Sequence, residues 1–272
     1  MPSRASVRRL KNAPLLVVLC QVRFAEVLDL HERMPALQRE FTALGFPRFA
    51  EKQFPNVIVV QDGPPQVQLA KQWHFQTGDR TSTIVLTTGF LTFLTSSYHT
   101  FERLLETVLA SVIQLKSIGR IELIDRIGLR YVDLIRPKSG ESIGQYVHPV
   151  MLGLPAENLI NASADRVSVV TDSRFRTPAG TLVVRLRQLQ LGSILPPDLD
   201  PSLLKWPVAI LPDESAFALD CDHYRDELNT PPDTAEVERL LWALHAGCTS
   251  AFAAAVTPHA MHVWGPTEEI TQ

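Results

Sequence analysis

The feature that most constrains the fold is an order of secondary-structure elements that occurs twice along the 272 residues. Residues 14–25 are typical of a strand that is apolar on both faces, and further strands lead to a long amphipathic helix near residues 99–116. Residues 121–136 then predict another long strand, and more strands lead to a second amphipathic helix near residues 234–255. This order predicts an α+β protein built from two similarly arranged halves.

In the first half, apolar residues at helical spacing predict a helix within residues 31–45. The long helix of this half is expected to begin at a cap formed by Ser97 and to end at Gly119. Turn residues separate the remaining segments into short strands. These strands are predicted near residues 56–61, 66–75, 81–88 and 90–95.

The second half repeats this order with a short helix predicted at residues 141–152. A proline-rich loop at residues 191–207 precedes the last strand, and Asp233 and Glu236 have the spacing of a capping box at the start of the final helix. Strands are predicted near residues 166–173, 180–190 and 215–223.

The architecture expected from this order is the helix-grip arrangement of TATA-binding-protein-like (TBP-like) folds. In it, each repeat curves an antiparallel sheet around one long helix. Residues 1–118 and 119–272 are expected to be two duplicated repeats, joined side by side as one continuous unit. A fold of this kind does not by itself indicate a function.

Composition limits the classes of partner. The chain has 26 Lys and Arg residues against 29 Asp and Glu residues, so its net charge of −3 argues against bulk attraction to nucleic acid or an anionic membrane. No segment approaches the roughly 20 apolar residues of a membrane span. Cys20, Cys221 and Cys248 are far apart and lie in apolar stretches, which is typical of reduced thiols in a cytoplasmic protein and disfavours a thiolate zinc site.

The most unusual short segment is "RIGLRYVDLI", residues 126–135, in which a strand carries arginine at two positions of one face. Period-two alternation places Arg126 and Arg130 opposite the face expected beneath the helices. The same alternation places Arg185 and Arg187 on the same face as Arg126 and Arg130, which we call the open face. Several guanidinium groups on one sheet face could bind a phosphate, a nucleotide or a nucleic-acid backbone.

A structural explanation of the arginines competes with this one. In "FALDCDHY", Asp220 and Asp222 alternate with apolar residues and are expected on the same open face. In a helix-grip order the first and last strands of a repeat are neighbours, so Arg130 is predicted to form an ion pair with one of these aspartates. Such cross-strand pairs contribute only about 0.2–1 kcal/mol each and are common. Ion pairing is the favoured explanation, with an anion site as the alternative.

Catalytic signals are weak. Asp220 and Asp222, two residues apart on a strand, could bind a divalent metal, but no further element of a nucleotidyl-transfer site accompanies them. His223 has no identifiable nucleophile, and His259 and His262 lack the glutamate of a zinc-protease motif. There is no P-loop or dinucleotide-binding motif, so no cofactor is predicted and catalysis is not favoured.

Several segments resemble a sporadically distributed bacterial protein family that has no established activity. The most specific are "GLRY" at residues 128–131 and "LDCD" at residues 219–222; "KNAPLLVVLCQVRF" and "LLWALHAGCTSAFAAAVTPHAMHVWG" also match, and the resemblance covers nearly the whole chain. The patchy distribution of that family implies a link with mobile or defence-type genes. The family commonly carries glutamates in its first strand where Val17 and Gln21 stand here, so a role of those carboxylates does not transfer.

Three functional hypotheses follow. The first is a non-catalytic protein that binds a protein or small-molecule ligand, without association with a membrane and with oligomerisation possible. The second is a nucleotide or nucleic-acid binder that uses Arg126, Arg130, Arg185 and Arg187, although general nucleic-acid binding is not expected from the net charge. The third is a metal-dependent enzyme centred on Asp220 and Asp222.

Overall fold

The computed structural model describes residues 10–58, 66–155, 167–208 and 216–265. Within these residues, nine strands form one curved and unclosed antiparallel sheet. The strands are β1 (Leu15–Phe24), β2 (Arg48–Ile58), β3 (Gln66–Gln76), β4 (Ser82–Leu86), β5 (Phe90–Thr95), β6 (Ile124–Ile135), β7 (Val170–Thr177), β8 (Gly180–Gln188) and β9 (Phe217–Arg225).

Four α-helices accompany the sheet in the described part of the chain. They are α1 (Met34–Ala43), α2 (Phe101–Gln114), α3 (Thr234–Ala255) and α4 (Pro258–Trp264). A π-helical turn extends α2 to Gly119, as the sequence predicted for the end of this helix. At the start of α3, the Asp233 side chain accepts hydrogen bonds from the backbone N–H groups of Ala235 and Glu236.

The strand order across the sheet is β2-β3-β4-β5-β1-β6-β9-β8-β7. The long strands β1 and β6 therefore pair with each other at the centre, with Cys20 opposite Leu129. Each is flanked on its other side by the last strand of its own half, β5 beside β1 and β9 beside β6. The prediction that β6 lies beside the strand near residue 220, which is β9, is thus confirmed.

One face of the sheet is covered by the helices. Val18 of β1 and Leu129 of β6 pack in the same buried cluster as Leu105 of α2 and Leu241 of α3. A second cluster joins the outer strands of the second half to the end of α3 and to α4. Full burial of one such aliphatic side chain contributes about 1.5–3 kcal/mol, so this face supplies much of the stability.

The opposite face is partly covered by residues 189–208, which we call the strap. Its apolar side chains pack against Val17, Leu19, Val132 and Leu134, which point away from the helices. These strap residues are Leu189, Ile194, Leu195, Leu199, Leu203, Leu204, Trp206 and Val208. The central strands are therefore buried on both faces, which explains why β1 is almost continuously apolar.

Hydrogen bonds fasten the far end of the strap to the first half of the sheet. The backbone N–H of Lys205 donates to the carbonyl oxygen of Arg80 at 2.8 Å. The Nε2 group of Gln76 donates to the carbonyl oxygen of Leu203, also at 2.8 Å. The proline-rich loop predicted from the sequence thus crosses the sheet from β8 to the neighbourhood of β3 and β4.

Some boundaries predicted in the first half were wrong. The strand expected near residues 56–61 begins at Arg48, and its predicted end lies outside the described residues. Charged residues obscured its alternation, because an edge strand exposes much of its surface. Helix α2 is capped by Thr100 rather than Ser97; its side chain accepts a hydrogen bond from the backbone N–H of Arg103.

In the second half, the helix predicted at residues 141–152 is absent. The segment forms two short 3₁₀ turns, Ile143–Gln145 and Pro149–Leu152, because proline removes a backbone donor and cannot continue a helix that has already begun. The strand expected near residues 166–173 begins at Val170 and extends to Thr177. His259 and His262 lie on the separate short helix α4.

Asp133 of β6 is a carboxyl group buried on the helix-covered face, between the inward side chains of Tyr131 and Ile135. No basic side chain of the described residues forms an ion pair with it. Burial, and to a lesser degree the nearby charge of Asp220, raises the pKa of Asp133 to about 8. The group is therefore mainly protonated in the folded protein at neutral pH.

We expect Asp133→Asn to increase the free energy of unfolding at pH 7.5 by a few kcal/mol. The folded pKa lies above the ordinary value of 3.8, so the buried carboxyl group does not destabilise the protein below about pH 4, where it is protonated in both states. Between about pH 4 and 8 the unfolded chain ionises more readily than the folded one, and the free energy of unfolding falls as the pH rises. Urea denaturation between pH 4 and 8 should show a smaller decline for the variant than for the wild type. Asp125→Asn on the same strand is the control; equal pH dependence of Asp133→Asn and wild type would contradict the assignment.

Candidate functional site

Charged side chains from four neighbouring strands meet on the face of the sheet that carries the strap. Because directly opposed residues share a face, the register places Arg130 with Asp222, and Arg185 with Asp220. Asp172 of the edge strand β7 lies opposite Arg185. The alternation predicted from the sequence therefore describes the faces of these strands correctly.

Arg130 is held by two carboxylates at once. Its Nε and one terminal nitrogen donate to the two carboxylate oxygens of Asp220, both at 2.8 Å. Its terminal nitrogens also donate to Asp198 of the strap, at 2.5 and 3.2 Å. All the nitrogen atoms of this guanidinium group are thus engaged by the protein, and Arg130 joins β6, β9 and the strap.

Arg185 continues the row of alternating charges. Its Nε donates to Asp172 at 2.7 Å, and a terminal nitrogen lies 3.5 Å from Asp220. Asp172 is also 3.4 Å from Arg174 on its own strand. The row of Arg130, Asp220, Arg185 and Asp172 fixes the relative positions of four strands on this face.

Burial and pairing act in opposite directions on Asp198 and Asp222, the two acids beside this row. Burial opposes ionisation of Asp198, but the hydrogen bonds from Arg130 hold its pKa below the usual value. For Asp222, burial outweighs the favourable charge of Arg130, and its pKa is raised. Asp222 forms no ion pair within the described residues, so Asp220 alone is the partner of Arg130 on β9.

A cleft of about 250 Å³ lies between this row and the strap. Arg187 is half-buried in its wall and has no hydrogen bond or ion pair within the described part of the chain. Arg185 supplies terminal N–H groups beside it. The cleft is lined by Arg130, Arg185, Arg187, Pro196, Pro197, Asp198, Ala218 and Asp220.

Arg126, the fourth predicted anion-binding residue, lies apart from the cleft. Its guanidinium group stacks on the ring of Tyr224 at 3.9 Å, and its Nε is 3.4 Å from Asp226. Gly128 permits this arrangement, since a β-carbon there would stand 3.2 Å from that of Tyr224. The four arginines predicted as one group therefore divide into a cluster of three and a separate cation–π pair.

The remaining polar candidates have structural partners. His223 is buried, with its ring nitrogens 2.8 Å from the Thr177 hydroxyl and 3.0 Å from the carbonyl oxygen of Leu244. His259 lies 3.3 Å from Glu141, which also accepts the Tyr146 hydroxyl. Among the described residues, no group of three or more His, Cys, Asp or Glu side chains is placed to bind a metal ion.

Sequence reasoning missed two carboxylates of the site. Asp198 lies in the proline-rich loop, and no local pattern indicates that this loop returns over the sheet. Asp172 lies on a strand that was predicted about four residues too early, and its position opposite Arg185 was not anticipated. The apolar residues within the loop were the available signal, because a loop containing several leucines and a tryptophan has to bury them somewhere.

Comparisons with known proteins add no family assignment, since no family model and no curated protein matches the chain. Within the described residues, no helix is both long and apolar enough to span a bilayer.

We expect Arg130→Met and Asp220→Leu to be coupled in a double-mutant cycle. Asp220 is buried, and removal of a partner from a buried ion pair typically costs about 3–5 kcal/mol, so the double variant should be less destabilised than the sum of the single variants. The exposed pair of Asp29 and Arg33 is the matched control and should couple by at most about 0.5 kcal/mol. Free energies of unfolding measure both cycles; additive effects at Arg130 and Asp220 would show that the pair is not structural.

Proposed function

We propose that the protein is a non-catalytic binding protein whose ligand carries a small anionic group that enters the cleft beneath the strap. The observation that carries this proposal is Arg187, a half-buried guanidinium group in the cleft wall that has no acidic partner in the described chain. Water satisfies a half-buried guanidinium group in the free protein, and a bound anion can take the place of that water.

The three arginines of the cleft differ in how many of their N–H groups are free to bind a ligand. Arg130 has its nitrogens occupied by Asp198 and Asp220, so its role is to shape the cleft. Arg187 and the free terminal nitrogen of Arg185 are the available donors. Two guanidinium groups suit a carboxylate or a phosphate monoester, because both anions accept paired hydrogen bonds.

The size of the cleft also restricts the ligand. At about 250 Å³ it is smaller than the roughly 300–1,000 Å³ of pockets that enclose drug-sized molecules. Asp198 and Asp220 line the other side and disfavour a highly charged polyanion. A single anionic group, with the rest of the ligand outside the cleft, fits both constraints.

The alternative hypotheses have less support. A nucleic-acid backbone would need a run of unpaired cations, whereas the strap lies over this face and aspartates pair with Arg130 and Arg185. A metal centre on Asp220 and Asp222 would require Asp220 to leave its two hydrogen bonds from Arg130. A nucleotide monophosphate remains compatible with the cleft as a form of the phosphate ligand.

We further propose a repeat structure, a family membership and a cellular location, all of which rest mainly on the sequence. We interpret the two halves as TBP-like repeats, supported by the position of the first and last strands of each half beside one another. Membership of the sporadically distributed bacterial family, with its link to mobile or defence-type genes, rests on the segments around Arg130 and Asp220. A cytoplasmic location is supported by three cysteines that are buried and unpaired.

Arg187→Gln should weaken anion binding at least about tenfold. Charge-assisted hydrogen bonds contribute about 1.5–3 kcal/mol, and about 1.4 kcal/mol corresponds to tenfold in affinity. The measurement is isothermal titration calorimetry at low ionic strength with inorganic phosphate, nucleoside monophosphates and mono- and dicarboxylates.

The control for this experiment is Arg176→Gln, which removes an exposed arginine on the same sheet face but outside the cleft. It should bind as the wild type does. Equal losses in the two variants would indicate diffuse attraction to the surface, and failure of the wild type to bind any anion of the panel would reject the cleft as a ligand site.

General affinity for DNA or RNA is not expected at physiological salt. Counterion release on unpaired Lys and Arg supplies most non-specific affinity, and the row on this face contains as many carboxylates as arginines. Gel-shift assays with single- and double-stranded oligonucleotides at about 0.15 M salt test this, because non-specific binders show Kd values of roughly 10⁻⁴–10⁻⁶ M there. Tight, salt-sensitive binding that Arg185→Gln and Arg187→Gln abolish would favour the nucleic-acid hypothesis instead.

A further inference from the structure

The two edge strands of the unclosed sheet differ in how well they are protected from pairing with a further strand. The edge strand β2 contains Pro55, which lacks a backbone donor, and Lys52, which binds Ser202 of the strap. Both features disfavour the addition of another strand. The other edge strand, β7, has eight residues without proline, and its register with β8 is regular throughout. Its exposed charges, Asp172, Arg174 and Arg176, are of both signs, so they can pair with a strand that carries complementary charges. Within the described residues, no strand pairs with the outer side of β7.

Exposed apolar side chains are concentrated around this unprotected edge. Five of the eleven large apolar residues that are exposed in the described chain lie on β7, just before it, or in and beside the 3₁₀ turn that contacts it. They are Val150, Leu154, Val167, Val170 and Phe175. An apolar concentration of this kind is typical of an interaction surface.

The backbone of β7 is oriented for further pairing. The carbonyl oxygen of Val169 accepts a hydrogen bond from the backbone N–H of Gln188 on the β8 side. Because this direction alternates along an antiparallel strand, odd-numbered residues face β8. The backbone groups of Val170, Asp172, Arg174 and Arg176 therefore point away from the sheet and are available to another strand.

The charges of β7 are complementary to a second copy of the same strand. In a two-fold arrangement centred on Ser173, Asp172 of each chain lies opposite Arg174 of the other. This places two opposite-charge pairs symmetrically and opposes Val170 to Arg176. Moving the centre by one residue in either direction places Asp172 opposite Asp172 or Arg174 opposite Arg174, which is unfavourable.

We infer that the protein forms a homodimer in which the β7 strands of two copies pair antiparallel about Ser173 and extend the sheet across a two-fold axis. The row of charges then continues through the interface, since Asp172 lies between Arg185 of its own chain and Arg174 of the other. The interface is isologous, so it closes at two copies and leaves neither β7 edge exposed. This inference does not depend on the anion proposed for the cleft.

Arg174→Glu tests the interface, because it replaces both attractive pairs with repulsive ones. Sedimentation velocity over a concentration series should show a dimer for the wild type and at least about a tenfold higher dissociation constant for the variant. Arg176→Glu is the matched control; it changes an equally placed arginine that faces Val170 and should remain dimeric. A wild type that is monomeric up to its solubility limit, or one that instead captures an unrelated extended peptide, would overturn the inference.

Ser173→Cys tests the register independently of stability. Residues on the two-fold axis form a non-hydrogen-bonded pair with Cα atoms about 4.5 Å apart, which is within the range for a disulfide. Mild oxidation should therefore link two Ser173→Cys chains covalently, whereas Phe175→Cys, which faces Thr171, should remain mostly unlinked. Preferential linkage of Phe175→Cys, or dissociation by Arg176→Glu but not by Arg174→Glu, would reject the proposed pairing.

Discussion

The central strands β1 and β6 are buried on both faces, and this constraint organises the rest of the molecule. Leucine and valine side chains that point away from the helices, including Leu19 and Val132, need an apolar cover of their own. A helical layer satisfies only one face of such a sheet. The strap supplies the second cover at the centre and runs from β8 away from the β7 edge, so the sheet has three layers at its middle and fewer at that side.

The functional surfaces that we propose lie beneath this second cover and on the part of the sheet that it leaves bare. In its middle, the strap brings Asp198 onto Arg130 and leaves a cleft beside Arg187. Each acid in the row lowers the cost of burying the neighbouring arginine, so the charges are maintained in a largely apolar setting. Beyond the strap, β7 has no cover on its outer side and keeps a row of available backbone groups within the described structure.

Much of the fold was accessible from sequence because its signals are local. The apolar stripes of α2 and α3 and the alternation of β6, β8 and β9 each depend on residues within one element. The errors occurred where local and tertiary requirements differ. The edge strand β2 was placed too late because exposure removes the alternation, and a helix was predicted at residues 141–152 where Pro149 and tertiary contacts favour two 3₁₀ turns.

The sequence alone determined which residues of β6, β8 and β9 share the open face, because side-chain direction alternates with period two whatever the surroundings. It also narrowed the partner of Arg130 to two aspartates. Only the tertiary structure decided between them, since a diagonal contact to Asp220 depends on strand twist and on side-chain length. It alone also placed Asp198 and the strap over the arginines, because the path of a long loop is set by distant apolar contacts that leave no periodic pattern in the sequence.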